Sequence, residues 1–325
     1  LRRNDRVVDL VEAARGGSPR AVARLISLVE EAPATGGTAL REVMAALAPY
    51  AGNAMVVGIT GSPGVGKSTT TNALVKEIRA SGRRVGVLAV DPSSPFSGGA
   101  LLGDRVRMSD HATDDGVFIR SMASRGHLGG LAWTTPQALR VLDAAGFDVI
   151  LIETVGVGQS EVEIAALADT TMVLLAPGMG DGIQAAKAGI LEIGDLYVIN
   201  KADRDGADAV RRDLRGMLAL ADRPEGAWKP PLLKAVAQSG EGLAEVVAAV
   251  DAHHDWLVET GELARRRTRR AREEIEAIAL DALRSHWGEV GAGTELDALA
   301  AAVASGESDP YAAADRLLGG GRARP

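Results

Sequence analysis

The chain has 325 residues, 46% of them hydrophobic and 24% charged, which suits one large α/β domain with extensions or two domains and excludes a wholly disordered chain. With 36 Lys and Arg against 43 Asp and Glu, the net charge is −7, and a general nucleic-acid binder is disfavoured. No cysteine is present, so disulfides, cysteine zinc sites, iron–sulfur clusters and thiol nucleophiles are excluded. There is no apolar run of the ~18 residues that a membrane span needs. The chain opens at Leu1 without a methionine, and LRRNDRVVDL has no signal-peptide stretch. A cytoplasmic protein without membrane attachment is the expectation.

The first fifty residues read as helical. Ser18 followed by Pro19 is a helix start, a side-chain cap and then a residue with preset φ. Val22, Leu25, Ile26 and Val29 recur on one helical face. Thr38 to Tyr50 is a second helix candidate, and the turn between them spans Pro33 to Gly37.

From Met55 short apolar runs alternate with longer amphipathic ones. The predicted strands are Met55–Thr60, Arg84–Val90, Gly116–Arg120, Asp148–Glu153, Thr170–Ala176, Asp195–Asn200 and Leu232–Ala235. Alternating β and α segments imply an α/β fold, a mainly parallel sheet with helices on both faces. No strand signal remains after about Trp256. A basic run from Arg265 to Arg272 passes into a helical pattern at Ile275, Ile278, Ala279 and Leu283. Asp309-Pro310 opens another helix that ends at Gly319 to Gly321. Because Glu273, Glu274 and Glu276 follow it, the basic run reads as a solvated face or a dimer contact. The expected organisation is residues 1–52 as an N-terminal helical extension, 53–257 as a nucleotide-binding domain and 258–325 as a C-terminal helical arm.

Residues 61–68 read GSPGVGKS, between the strand MVVGIT and the helix TTTNALVKEI. This is the P-loop pattern in its required context. Gly61, Gly64 and Gly66 let backbone N–H groups turn around phosphate oxygens, and the loop residues Ser62, Pro63 and Val65 complete the cradle. Lys67 is expected between the β- and γ-phosphates, at a helix N-terminus with Thr69. The Ser68 hydroxyl is expected on Mg²⁺.

Asn200-Lys201-Ala202-Asp203 follows the strand DLYVIN, as N-K-x-D does in G proteins. The Asp203 carboxylate accepts from guanine N1–H and the N2 amino group, a pair that adenine lacks. Lys201 would lie along the base, and Asn200 would tie the loop. Val236 and Ala237 lie where a backbone N–H meets guanine O6, although the usual Ser-Ala form is absent. The expected ligands are therefore GTP or GDP with Mg²⁺.

VILIETVG places Glu153 at the carboxyl end of a buried strand, where open α/β sheets bind ligands. Most G proteins carry Asp there; a carboxylate at that place holds Mg²⁺ through water, and the Gly156 N–H faces the γ-phosphate. Asp91 ends another strand and Asp104 follows in a Gly-rich loop; one or both position the attacking water or complete the metal shell, or they serve as a loop cap and a helix cap. Gln159 and Glu161 fall in a switch segment. Asp181, Gln184 and Lys187, in PGMGDGIQAAK, either communicate nucleotide state or cap a plain loop and helix.

Together, GSPGVGKST, VDPSSPFSGGALLGDRVRM, ETVGVGQSE, PGMGDGIQAAKAGI, NKAD and DPYAAADRLL resemble the methylmalonyl-CoA mutase-associated G-protein chaperones, the MeaB/ArgK-type family of SIMIBI-class GTPases. The resemblance spans about residues 5–320. It implies a homodimer formed through the C-terminal helices. It also implies a partner, an adenosylcobalamin-dependent acyl-CoA mutase whose cofactor loading is gated and whose activity is protected. The family pattern carries onto Lys67 and Ser68, onto Asp91, Asp104 and Glu153 around metal and water, and onto Asn200, Lys201 and Asp203 at the base. Segment 177–187 corresponds to the third switch. The chain departs from the pattern at Pro95-Phe96 and Met179.

Three alternatives compete with this resemblance. A nickel-insertion GTPase needs His/Cys clusters, whereas the 5 His are scattered and His253-His254 reads as a surface pair. An ATPase or kinase of lysine/arginine/ornithine transport needs an adenine site, against Asn200–Asp203. A scaffold that scarcely turns nucleotide over conflicts with the intact Lys67, Ser68 and acidic set. No arginine finger is assignable, Arg105, Arg107, Arg120 and Arg125 being candidates by location only, so slow intrinsic turnover is expected.

Overall fold

The computed structural model describes residues 3–32, 37–92, 111, 113–124, 134–154, 160–178, 191–219, 224–289 and 292–319. Among these residues seven strands form one parallel sheet: β1 Met55–Thr60, β2 Val85–Pro92, β3 Val117–Ser124, β4 Val149–Thr154, β5 Thr170–Leu175, β6 Leu196–Ile199 and β7 Leu232–Lys234. Their order is β3-β2-β4-β1-β5-β6-β7. Every residue of β1, β4, β5 and β6 is buried, which explains their near-continuous apolar sequences: both faces of the sheet are covered.

Among the described residues the helices of eight or more residues, in chain order, are α1 Arg3–Arg15, α2 Pro19–Glu30, α3 Thr38–Leu47, α4 Lys67–Ala80, α5 Thr135–Ala144, α6 Ser160–Leu167, α7 Ala207–Ala219, α8 Leu243–Glu259, α9 Glu262–Glu289, α10 Ala292–Ala304 and α11 Pro310–Gly319. One sheet face presents Val56, Leu88, Ile150 and Ile152 to a core shared with α1, α2, α3, α5 and Ile164 of α6. The alternate residues Val57, Ile59, Val87 and Leu151 face α4 and α8. This is the period-two alternation of side chains along a strand. A third cluster seats Ala207 and Leu214 of α7 against Val173, Leu175, Tyr197 and Ile199.

The apolar stripe of α2 is fully buried, and the Ser18 side chain accepts the N–H of Ala21 at 3.3 Å, as the sequence anticipates. The N-terminal helices thus share a core with the sheet. Among the described residues, those through Arg270 form one compact unit and those from Ala271 a second. In the second unit α10 packs on α11. Strands β2 and β3 run further than their apolar runs suggest, because they stay in register to the pair Pro92 and Ser124.

Arg266, Arg267 and Arg270 are not a solvated face; they reach the amino edge of the sheet. Arg267 donates to Asp169 Oδ2 at 2.7 Å, and Arg270 also binds Asp169. Arg266 donates to both carboxylate oxygens of Asp195 at 3.1 Å. Burial pushes the Asp169 carboxyl up, but Arg267 and Arg270 more than offset this and hold it below the usual carboxylate range. His253 is not a surface residue; it is 0% exposed. Its Nδ1 pairs with the Thr170 hydroxyl at 2.8 Å, and its ring packs against both Trp228 and Trp256, which also touch each other. Burial lowers its pKa to about 4 despite the nearby Asp195, so the ring is neutral at pH 7.

The candidate nucleotide site

The carboxyl edge of the sheet gathers the sequence motifs. Loop 61–66 joins β1 to α4 with Gly61, Gly64 and Gly66 at positive φ. Two of these glycines are required by close approach. A Cβ on Gly61 would lie 2.3 Å from the carbonyl oxygen of Leu174 in β5, and one on Gly66 would lie 2.5 Å from Asn200 Nδ2. Lys67 is 8% exposed and donates from Nζ to the carbonyls of Gly61 at 2.5 Å and Ser62 at 3.3 Å. The ammonium therefore sits inside the loop, where an anion would be met by lysine and helix N-terminus together.

Ser68 Oγ donates to Glu153 Oε1 at 2.6 Å. Glu153 is 3% exposed and precedes the last residue of β4. A hydroxyl and a buried carboxylate converging beside a phosphate loop form a hard-oxygen donor set, the type that suits Mg²⁺. On β2 the backbone of Asp91 reaches the same edge, two positions beyond the partner of Glu153 in the strand register. Asp104, Gly156, Gln159, Asp181, Gln184 and Lys187, and the side chains of Asp91 and Glu161, lie outside the described residues.

Asn200 links the two motifs. It is 2% exposed, donates from Nδ2 to the Val65 carbonyl at 2.8 Å, and accepts the Ala237 N–H at 3.1 Å. Lys201 is held at φ 56, a left-handed backbone that a non-glycine residue rarely adopts, and its Nζ donates to the Gly64 carbonyl at 2.7 Å. Asp203 is exposed beside it. Val236 spends its N–H on the Glu241 carbonyl at 2.9 Å. Both N–H groups named for guanine O6 are thus engaged within the protein in this arrangement.

Arg120 is not at the site. It lies mid-strand in β3 and binds Ser27 and Glu30 of α2. Arg105, Arg107 and Arg125 lie outside the described residues. The residues that sequence reasoning missed are Asp169 and Asp195, each directly before an apolar strand. The signal available was the 266, 267, 270 spacing, which puts three guanidiniums along one side of a helix.

A family model described as methylmalonyl-CoA mutase-associated GTPase MeaB matches residues 22–291. The chain belongs to the MeaB family. A Pyrococcus abyssi protein is 47% identical over 315 residues, covering 95% of each chain. Escherichia coli GTPase ArgK is 37% identical over 260 residues, covering 79% of this chain and 78% of ArgK. The mouse mitochondrial methylmalonic aciduria type A homolog is 38% identical over 269 residues, 81% of this chain and 64% of its own length. A crystal structure of an LAO/AO transport system kinase superposes with TM-score 0.75 at 27% identity, covering 98% of both chains. This MeaB-family member is a GTPase of the P-loop α/β fold, and its family is associated with methylmalonyl-CoA mutase. Among the described residues, no helix is long and apolar enough to cross a membrane.

Proposed function

We propose that this MeaB-family GTPase binds GTP through residues 61–69 and 200–203 and acts as a chaperone of an adenosylcobalamin-dependent acyl-CoA mutase, methylmalonyl-CoA mutase being the family expectation. The observation that carries the nucleotide assignment is the Asn200 bridge, which joins the phosphate loop at Val65 to the base loop at Ala237. One ligand spanning both loops is the natural occupant. Lys67 leaves the Gly61 and Ser62 carbonyls for the β- and γ-phosphates, and backbone N–H groups of the loop orient the same oxygens. Asp203 selects guanine by accepting its N1–H and N2 protons.

Ser68 and Glu153 would hold Mg²⁺, with Asp91 and Asp104 assigned to the same shell or to water positioning. When bound, the ion neutralises charge on the phosphate oxygens. Glu153, buried and already accepting from Ser68, keeps that hydroxyl directed at the metal position.

The partner assignment is supported by the family description and the mouse relative's name. In this reading the GTPase cycle gates cofactor loading and protects the mutase. Homodimerisation through the C-terminal helices is supported by Ile275 and Leu283 of α9, 68% and 53% exposed, an apolar pattern that a partner helix would cover. A cytoplasmic location completes the proposal.

The test is GTP and ATP affinity, and GTP turnover, with and without a purified adenosylcobalamin-dependent mutase. Preference for GTP together with a change in turnover on adding mutase is the expected result. An unchanged turnover and affinity would remove the partner assignment, and equal ATP binding would remove the role given to Asp203.

A further inference from the structure

The arginines of α9 hold the sheet at the edge opposite the nucleotide loops, and they hold a particular subset of strands. Asp169, which binds Arg267 and Arg270, accepts the Val56 N–H of β1 at 3.1 Å and donates its own N–H to the Val56 carbonyl at 2.8 Å. It also directly precedes β5. Asp195, which binds Arg266, accepts the Thr171 N–H of β5 at 2.8 Å and directly precedes β6. One turn of α9 therefore fixes the amino ends of β1, β5 and β6. Their carboxyl ends lead into loop 61–66, Pro177 and Asn200–Asp203 respectively. The amino ends of β2 and β3 are fastened by other groups: the Arg84 N–H binds Asp148 at 2.6 Å, and Arg79 binds Asp114 at 2.9 Å.

We propose that Arg266, Arg267 and Arg270 are positioning residues for the nucleotide site, acting along β1, β5 and β6. The strands have only 6, 6 and 4 residues, are hydrogen-bonded to one another in register, and lie in a close-packed interior that transmits displacement instead of absorbing it. A helix that grips their amino ends sets the relative height of the phosphate loop and the base motif. Reciprocity follows: a nucleotide that fixes those loops tightens the grip of α9. The helix that carries the three arginines continues beyond them to Glu289. The inference rests on the nucleotide reading of the carboxyl edge.

The experiment compares the unaltered protein with Arg270→Ala, Arg270→Lys and, as a control on the same turn, Arg265→Ala, whose guanidinium, among the described residues, binds Glu262 and the Thr260 carbonyl. GDP affinity is measured by fluorescent-nucleotide titration, and amide exchange across 263–270 is measured with and without GDP. Arg270→Ala is expected to weaken GDP on the order of ten-fold, with partial recovery in Arg270→Lys and no change in Arg265→Ala. In the unaltered protein, GDP is expected to slow exchange across 263–270. A folded Arg270→Ala that is less heat-stable but keeps the GDP affinity unchanged would overturn the proposal and leave the arginines purely structural. If Arg270→Ala does not fold, the exchange measurement on the unaltered protein decides: no effect of GDP overturns it. An unaltered protein that binds no GDP would instead overturn the nucleotide reading beneath it.

Discussion

Ser68 Oγ and Glu153 Oε1 lie 2.6 Å apart across 85 residues of chain, one at the first turn of α4 and the other at the carboxyl end of β4. This contact joins the phosphate loop to the strand that leads into residues 155–159. Replacing the carboxylate by an amide keeps the shape and removes the charge. Glu153→Gln is expected to lower GTP turnover on the order of 10²-fold, with GDP affinity in EDTA changed less than three-fold. Single-turnover hydrolysis and titration in EDTA check it, and retained turnover would remove Glu153 from the chemistry.

Asp203 is exposed and next to the strained Lys201. Asp203→Asn replaces an acceptor by an amide that also donates. GTP affinity is expected to fall about 10²-fold or more, with a gain for xanthine nucleotide, whose 2-carbonyl accepts what the amide offers. Competition between GTP and XTP measures the exchange directly.

Gly66→Ala brings a Cβ to 2.5 Å from Asn200 Nδ2 at a position with φ 97. The substitution must displace Asn200 and strain the backbone, a cost of about 1–3 kcal/mol. Loss of stability in urea should come with weakened binding of both GTP and GDP, because the bridge from Val65 to Ala237 opens.

His253 gives a pH signature. Its pKa is about 4 when folded and 6.5 in the unfolded chain, so between those values the unfolded state binds more protons. The stability of the buried neutral ring is complete above pH 6.5, falls as pH drops and levels off near pH 4. The full loss is about 3 kcal/mol. Asp169, whose pKa lies below its ordinary 3.8, contributes a loss only beneath that window. Urea unfolding at pH 7.5, 5.5 and 4.5 should show this slope in the unaltered protein and a flatter one in His253→Gln.

Strands β1, β4, β5 and β6 were readable because each is an apolar run buried on both faces, and Met55–Thr60 has the bounds its sequence suggests. The sequence places the end of β3 at Arg120 because Ser121 and Ser124 break the run beyond it; at the edge of the sheet, beside β2, the strand tolerates them. GSPGVGKS and NKAD were readable because each is a contiguous motif at a strand end. The arginine clasp was not, since Arg267 meets Asp169 across 98 residues and Ala54 across 213. A basic run followed by acids looks like a solvated helix until the strand starts are folded beneath it. His253 was misread for the same reason: Trp228 and Thr170, which enclose it, are distant in sequence.

The short peptide 52–54 is held from two sides. Asp143 accepts the N–H groups of Gly52, Asn53 and Ala54, while Arg267 donates to the carbonyls of Gly52 and Ala54. A recombinant fragment beginning at residue 55 would leave that aspartate and arginine facing water where a peptide had been. It would also strip α1, α2 and α3 from the core they share with Leu88, Ile150 and α5. Such a fragment would carry every nucleotide motif and still present a sticky sheet face, so its precipitation or weak binding would report on the missing helices and not on the site.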